Sequence, residues 1–224
     1  MNLITFPAKP QPRPRPKAAH HHDATIKYFS EAQIRLIRRT ARDRAALALT
    51  RGTTTAVREW ALIDVLTSSG LRAAEAADLR VGDIRTANGE SAIVVRHGKG
   101  DRSRVVQVPD SLRTHLKSYL QWKRECGEAT GPDDYLFVGQ RGQWSAWAVG
   151  AVVKRHLLRL GIYLKGKSAH SLRHSYAVEV YRQQRDLRAV QKQLGHASVQ
   201  TTMIYADVTD ADVQQQIRGL WGTV

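Results

Sequence analysis

The sequence predicts a mainly α-helical fold with a small antiparallel β-sheet, an α+β arrangement. Apolar residues recur at the spacing of amphipathic helices through most of the chain after residue 29. The stretch SAIVVRHGKGDRSRVVQVP carries two β-branched runs around a glycine-containing turn, which predicts one hairpin. Hydrophobic residues make up 42% of the 224 residues, which is enough for a core of ordinary size.

Three helices are predicted before the hairpin. Ser30 is a good N-cap for the first. The second, around Trp60 and Leu66, is so apolar that we expect it to be central, and Gly70 is suited to close it. The third follows in AAEAADL and leads into a turn.

The later elements are predicted from the same patterns. The hairpin strands are residues 91–96 and 104–108, an amphipathic helix covers 112–126, and a long helix covers 146–160. Between these two helices, YLFVGQ is a short extended piece. Two further helical patterns follow, the second of them at 187–194.

The charge balance indicates a polyanionic partner. Lys and Arg number 35 against 20 Asp and Glu, a net charge of +15 that is typical of nucleic-acid binding. A membrane role is disfavoured because the longest apolar run, residues 146–153, is far too short to span a bilayer. The single cysteine, Cys126, excludes an intramolecular disulfide and fits a reducing cytoplasm, where we expect association with the nucleoid.

Residues 1–24 are predicted to form a basic, proline-rich, extended arm. Such an arm either lies along phosphates or is a disordered leader. His20, His21 and His22 indicate a metal site only weakly, because no Cys, Asp or Glu lies at ligand spacing elsewhere. We therefore predict no metal.

The last quarter of the chain concentrates side chains that suit phosphate chemistry. His170 and Arg173 lie three residues apart, on one face of a predicted helix. A second helical pattern ends in a glycine, His196 follows at once, and Tyr205 comes nine residues later. Each has an ordinary structural explanation, such as a surface pair or a half-buried tyrosine with its hydroxyl at the surface. Their concentration suggests a tyrosine nucleophile that acts on phosphate.

HSLRHSYA and LGHASVQTTMIY resemble the second conserved block of the tyrosine recombinases, the lambda-integrase family. There His-x-x-Arg precedes Leu-Gly-His, and the nucleophilic tyrosine follows nine residues after that histidine. TSSGLRAAEAADL resembles the first block, which implies that Arg72 is a catalytic arginine and Glu75 its supporting carboxylate. Lys99 matches the family's mobile β-turn lysine, which could protonate the leaving 5′-oxygen. The resemblance covers about residues 29–208 and implies the tyrosine recombinase catalytic-domain fold.

The resemblance also implies roles in a phosphoryl transfer. Arg72 and Arg173 would stabilise charge on the non-bridging oxygens. Tyr205 would attack, with His170 as the candidate base. His196 would donate a hydrogen bond to the scissile phosphate.

The implied function is site-specific DNA recombination through a 3′-phosphotyrosyl intermediate, giving inversion, resolution, integration or excision. This link retains the energy of the phosphodiester, so no cofactor, ATP or metal is expected, in agreement with the lack of a P-loop motif. The implied partners are double-stranded DNA and three further copies, a homotetramer on two sites. Two alternatives stay open: relaxation of DNA like that of a type IB topoisomerase, and a non-catalytic DNA-binding regulator on the same fold.

The predicted division of the chain follows from these patterns. After the arm, residues 25–208 form the catalytic domain, with no room for a separate core-binding domain, as in the fimbrial-switch invertases. Residues 209–224 form a short helix whose stripe of Val213, Ile217 and Leu220 makes it a candidate subunit-docking segment.

Overall fold

The computed structural model describes residues 27–87, 89–96 and 103–207. In these ranges the predicted fold class, mainly helical with a small antiparallel sheet, is confirmed. The helices are α1 (Glu31–Thr50), α2 (Thr55–Ser69), α3 (Ala73–Ala77), α4 (Asp110–Glu125), α5 (Ala146–Arg159), α6 (Ala169–Gln184), α7 (Leu187–Leu194) and α8 (Gln200–Asp207). The strands are β1 (Ile84–Arg85), β2 (Ala92–Val95), β3 (Arg104–Gln107), β4 (Val138–Gly139) and β5 (Gly142–Gln143).

The first helix begins where its capping residue predicts. The Ser30 hydroxyl accepts a hydrogen bond from the backbone N–H of Gln33 at 3.3 Å, and the Gln33 side chain accepts one from the Ser30 N–H at 3.1 Å. This reciprocal capping box satisfies two backbone donors that the helix itself leaves free.

Helix α2 is the centre of the main core. It is buried along nearly its whole length and contacts α1, α4, α5 and α6. The buried carboxylate of Asp64 in α2 accepts a hydrogen bond from Arg38 at 2.7 Å and lies 2.7 Å from Nδ1 of His115. A buried carboxylate is tolerated only when it is paired in this way, so Asp64 ties the central helix to both α1 and α4.

The sheet is larger than the predicted hairpin. Strands β2 and β3 pair antiparallel with Ile93 opposite Val106, and β1 adds a third strand on the far side of β2. Two-residue strands such as β1 have too few positions to show alternation, so the sequence did not predict it. The predicted extended piece YLFVGQ contributes β4, which pairs with β5 in a second small hairpin.

Helix α8 was not predicted. TTMIY is rich in β-branched residues, which are poor helix formers. Tertiary packing decides the conformation, because Tyr205 fills a second apolar cluster with Val178 of α6 and Val190 and Leu194 of α7. This cluster fixes the C-terminal helices against the rest of the fold.

Several sequence predictions lie outside the described residues: the arm at 1–24, the hairpin tip with Lys99, and the C-terminal helix at 209–224. They stay predictions. Among the described residues, no helix is long and apolar enough to cross a membrane.

Gly70 tests the packing between α2 and α6. It closes α2 with φ of +64°, and a Cβ there would lie 2.4 Å from Cδ1 of Tyr176. Gly52 closes α1 with φ of +65°, and a Cβ there would meet nothing within 4 Å. We expect Gly70→Ala to lower the free energy of unfolding by roughly 2–4 kcal/mol, because left-handed strain and overpacking add. The matched Gly52→Ala should cost only about 1–2 kcal/mol, because left-handed strain acts there without overpacking. Urea unfolding measures both, and equal losses would contradict the close packing.

Candidate active site

Glu75 is the centre of a network of guanidiniums. It lies in the first turn of α3, where its side chain accepts hydrogen bonds from the backbone N–H of Arg72 at 2.8 Å and from Nη1 of Arg72 at 2.7 Å. Arg104 of β3 reaches it with both terminal nitrogens, each at 2.8 Å. Nη1 of Arg173 lies 3.9 Å from the same carboxylate. Three guanidiniums therefore share one carboxylate, and the cluster keeps an excess of positive charge.

The ionisation of Glu75 follows from these contacts. Burial alone would raise its pKa, but the hydrogen bonds and charges of Arg104 and Arg72 outweigh burial and lower the pKa to about 2. The carboxylate is thus ionised at any physiological pH, and it holds the arginines in fixed orientations.

Arg173 is held between two helix ends. Its side chain is 1% exposed, with Nη1 donating to the carbonyl of Gly70 at 2.7 Å and Nη2 donating to the carbonyl of Leu194 at 2.8 Å. These carbonyls end α2 and α7, where the helices leave acceptors unpaired and the helix dipole favours a cation. Burial, together with the charge of Arg72, lowers the pKa of Arg173 to about 10, so the guanidinium stays charged at neutral pH.

Three histidines line the same cluster. Burial lowers the pKa of His174 and of His196 to about 4, and the neighbouring arginines and histidines add to the effect. Burial and the charges of Arg173 and Arg72 also lower the pKa of His170. All three imidazoles are therefore neutral at pH 7 in the absence of a bound anion.

Tyr205 lies at the floor of the cluster. It is 1% exposed, and its hydroxyl oxygen is 3.0 Å from Nδ1 of His174. The ring of His196 stacks over it, with ring centroids 6.3 Å apart and an interplanar angle of 16°. Burial raises the pKa of the phenol, and the charges of Arg173 and Arg72 oppose that rise. The hydroxyl is therefore protonated in the free protein. The side chain is fully buried, whereas the ordinary structural explanation for Tyr205 was a half-buried ring with its hydroxyl at the surface.

The structure brings most of the sequence-predicted residues into this one cluster. These are Arg72, Glu75, His170, Arg173, His196 and Tyr205. Lys99 is outside the described residues.

Two residues of the cluster were missed by the sequence analysis. Arg104 is one of several cations in the hairpin, and nothing in its spacing points to Glu75. His174 directly follows the second arginine of the motif, yet its partner Tyr205 is 31 residues away. Among the described residues, no group of three or more His, Cys, Asp or Glu could hold a metal ion.

Comparison with known proteins shows the family to which this chain belongs. The sequence profile of the phage integrase family matches residues 28–212. The chain belongs to the phage integrase family. The tyrosine recombinase XerD of Oceanobacillus iheyensis is 34% identical over 167 residues, which are 74% of this chain and 55% of XerD. The tyrosine recombinase XerA of Pyrococcus furiosus is 32% identical over 165 residues, or 72% of this chain and 54% of XerA.

Solved structures of the family share the fold. The crystal structure of XerA recombinase matches with a TM-score of 0.70 at 29% identity, over 88% of this chain and 66% of that one. XerH bound to its difH substrate in a pre-cleavage complex matches with a TM-score of 0.69 at 24% identity, over 89% of this chain and 55% of XerH. The chain spans about half the length of the curated relatives it matches.

The lowered pKa of His174 makes stability depend on pH. Its folded-state pKa of about 4 lies below the ordinary 6.5, so the unfolded chain takes up the proton first as pH falls. This contribution is complete above pH 6.5 and is lost towards pH 4. Between pH 7.5 and 5, we expect wild type to lose about 1 kcal/mol more unfolding free energy than His174→Asn, after allowing for solvent screening. Urea unfolding at both pH values measures this, and parallel losses would contradict it.

Proposed function

We propose that this chain is a site-specific DNA recombinase that cuts and rejoins strands through a 3′-phosphotyrosyl link to Tyr205. The proposal rests on the position of the Tyr205 hydroxyl, which lies within a cluster of arginines and neutral histidines in a chain of the phage integrase family. Relatives named tyrosine recombinases support the same activity. The net charge of +15 supports double-stranded DNA as substrate and, in a cell, an association with the nucleoid.

The excess positive charge supports a phosphodiester as the ligand. A guanidinium has five N–H donors, so Arg173 can bind two carbonyls and still present donors to an anion. Arg72 is partly exposed and fixed by Glu75. In this proposal both arginines contact the non-bridging oxygens, whose charge grows as the fifth bond to phosphorus forms.

The remaining roles follow from position and resemblance. His196 lies between Thr202, 3.0 Å from its Nδ1, and Tyr205, and it would donate a hydrogen bond to the phosphate. Lys99 would give a proton to the leaving 5′-oxygen. Because the covalent link keeps the energy of the phosphodiester, resealing needs no cofactor.

Two other functions would use the same fold. A topoisomerase of type IB would relax any supercoiled plasmid, whereas a recombinase acts only where its site is present. A non-catalytic regulator would bind DNA without forming an adduct. The Xer relatives favour the recombinase over both.

The nucleophile is tested by removing one oxygen. Tyr205→Phe should abolish the covalent protein–DNA adduct while DNA affinity changes by less than a few-fold, because the ring and its packing remain. Tyr176→Phe is the matched control, since Tyr176 is a partly buried tyrosine on α6, and its adduct yield should equal that of wild type. Denaturing gels of protein bound to nicked duplex measure the adduct. An undiminished adduct in Tyr205→Phe would refute the assignment.

The proton donor is tested by changing the leaving group. Lys99→Ala should slow cleavage of ordinary DNA by about 10²–10⁴-fold, the usual value of general acid catalysis. A substrate with a 5′-bridging sulfur needs no proton, so its cleavage rate should be nearly unchanged. Equal losses on both substrates would give Lys99 a binding role instead.

The proposed homotetramer needs a surface that receives a neighbour. A cavity of about 570 Å³ opens between the start of α1 and the later part of α6. Its apolar lining includes Ile34, Pro109, Val178 and Val180. We propose that residues 209–224 of a neighbouring copy pack their apolar stripe there, because a lone helix of that length is marginal in water.

Truncation and a groove variant test this docking. Truncation after Asp207 and Val180→Glu should each bind a half-site yet lose cooperative binding and recombination. The exposed Gln184→Glu on the same helix is the matched control and should behave as wild type. Band-shift titration measures cooperativity. If only the truncation fails, residues 209–224 dock at another surface; if neither fails, the assembly is held by other contacts.

A further inference from the structure

The nucleophile of the proposed reaction has one hydrogen-bonding neighbour among the described residues, and it is not the expected base. The oxygen of Tyr205 is 3.0 Å from Nδ1 of His174, whereas no hydrogen bond joins it to His170. His170 lies one turn earlier on α6, with its ring edge on His174 at a centroid distance of 4.3 Å. The family resemblance had implied His170 as the candidate base.

The direction of this hydrogen bond depends on which ring nitrogen of His174 carries the proton. The phenol is protonated because burial raises its pKa. The imidazole of His174 is neutral because burial lowers its pKa to about 4. A base at Nδ1 requires the Nε2–H tautomer of the neutral imidazole, in which Tyr205 donates and Nδ1 accepts.

The surroundings of His174 explain why the proton stays on Tyr205 in the free protein. Burial disfavours an imidazolium there, and the positive charge of Arg173 adds to the effect. A phosphodiester bound at Arg72 and Arg173 would bring a negative charge beside the ring and favour the imidazolium. Proton transfer is thereby coupled to the arrival of the substrate.

We propose that Nδ1 of His174, rather than His170, takes the proton of Tyr205 during strand cleavage. The inference rests on the recombinase function proposed above. The tyrosine oxygen forms a bond to phosphorus, its proton passes to Nδ1 of His174, and the bond from phosphorus to the 5′-oxygen breaks. The 5′-oxygen takes a proton from Lys99. On resealing, an incoming 5′-hydroxyl attacks phosphorus and returns its proton to Lys99, and the tyrosine oxygen leaves with the proton held by His174.

This assignment leaves His170 with a different task. It is the more exposed of the two histidines, and the charges that act on it are those of Arg173 and Arg72. That position suits a hydrogen bond to a phosphate oxygen rather than contact with the nucleophile. His170 therefore contacts the phosphate, and His174 contacts the tyrosine nucleophile.

Nitrogen-15 NMR of the histidines in the free protein tests the contact without DNA. At pH 7, His174 should be the Nε2–H tautomer with Nδ1 accepting a hydrogen bond. Tyr205→Phe should move the Nδ1 resonance to that of an unbound acceptor, and Tyr176→Phe should leave it in place. A protonated Nδ1, or no response to Tyr205→Phe, would overturn the proposal.

Single-turnover cleavage tests the chemistry. The probe is a nicked duplex carrying the sequence that wild-type protein selects from a random pool. His174→Ala and His174→Asn should both cleave about 10²–10⁴-fold more slowly at pH 7, with DNA affinity within a few-fold of wild type. Asn can still accept the hydrogen bond at the position of Nδ1, but it cannot hold the proton. Wild-type rates in His174→Asn would reduce His174 to a positioning residue and overturn the proposal.

Chemical rescue separates the two histidines. Tyr205→3-fluorotyrosine, installed site-specifically, lowers the pKa of the phenol and should restore much of the rate to His174→Asn but little to His170→Asn. The reverse pattern would assign the base to His170. If wild-type protein forms no adduct with any selected duplex, the proposed function fails, and the NMR result still decides whether His174 holds the tyrosine.

Discussion

The carboxylate of Glu75 is the charge on which the arrangement of the site depends. Arg72, Arg104 and Arg173 all lie within 4 Å of it. Like charges 4 Å apart near a protein surface repel by about 4 kcal/mol, so guanidiniums gather only around a compensating anion. With a single carboxylate, the compensation is incomplete. The remaining positive charge is what a bound phosphodiester would neutralise.

The backbone supports this network at helix ends. Arg173 binds the last carbonyls of α2 and α7, Arg72 caps the start of α3, and Arg104 comes from β3. Arg104 also donates to the carbonyl of Gln193 at 3.1 Å, one residue before Leu194. Arginine side chains that already hydrogen-bond to the backbone and to Glu75 lose little further conformational freedom when substrate binds. The site is therefore preorganised for DNA.

The sequence predicted the fold class, the central helix, and those site residues that belong to a short sequence motif or to a single helix. His170 and Arg173 share a helical face, and the glycines that end α2 and α7 could be recognised from their own positions. Arg104 and His174 could not, because their partners are 29 and 31 residues away and the pairing exists only after folding. Strand β1 is too short to show an alternating hydrophobic pattern, and α8 forms although the residues TTMIY have low helix propensity. Tertiary contacts decided both.

A double-mutant cycle between Glu75 and Arg104 tests most directly whether the carboxylate holds the arginines. Glu75→Gln and Arg104→Met would each be measured alone and together by urea unfolding. Glu75→Gln leaves Arg104 without its carboxylate, and Arg104→Met removes two hydrogen bonds from the buried Glu75. Because both variants break the same pair, the account predicts that the double variant loses clearly less than the sum of the two. The coupling should reach about 2 kcal/mol, within the range found for residues in one network. Additive losses would show that the two side chains do not depend on each other and would contradict the account.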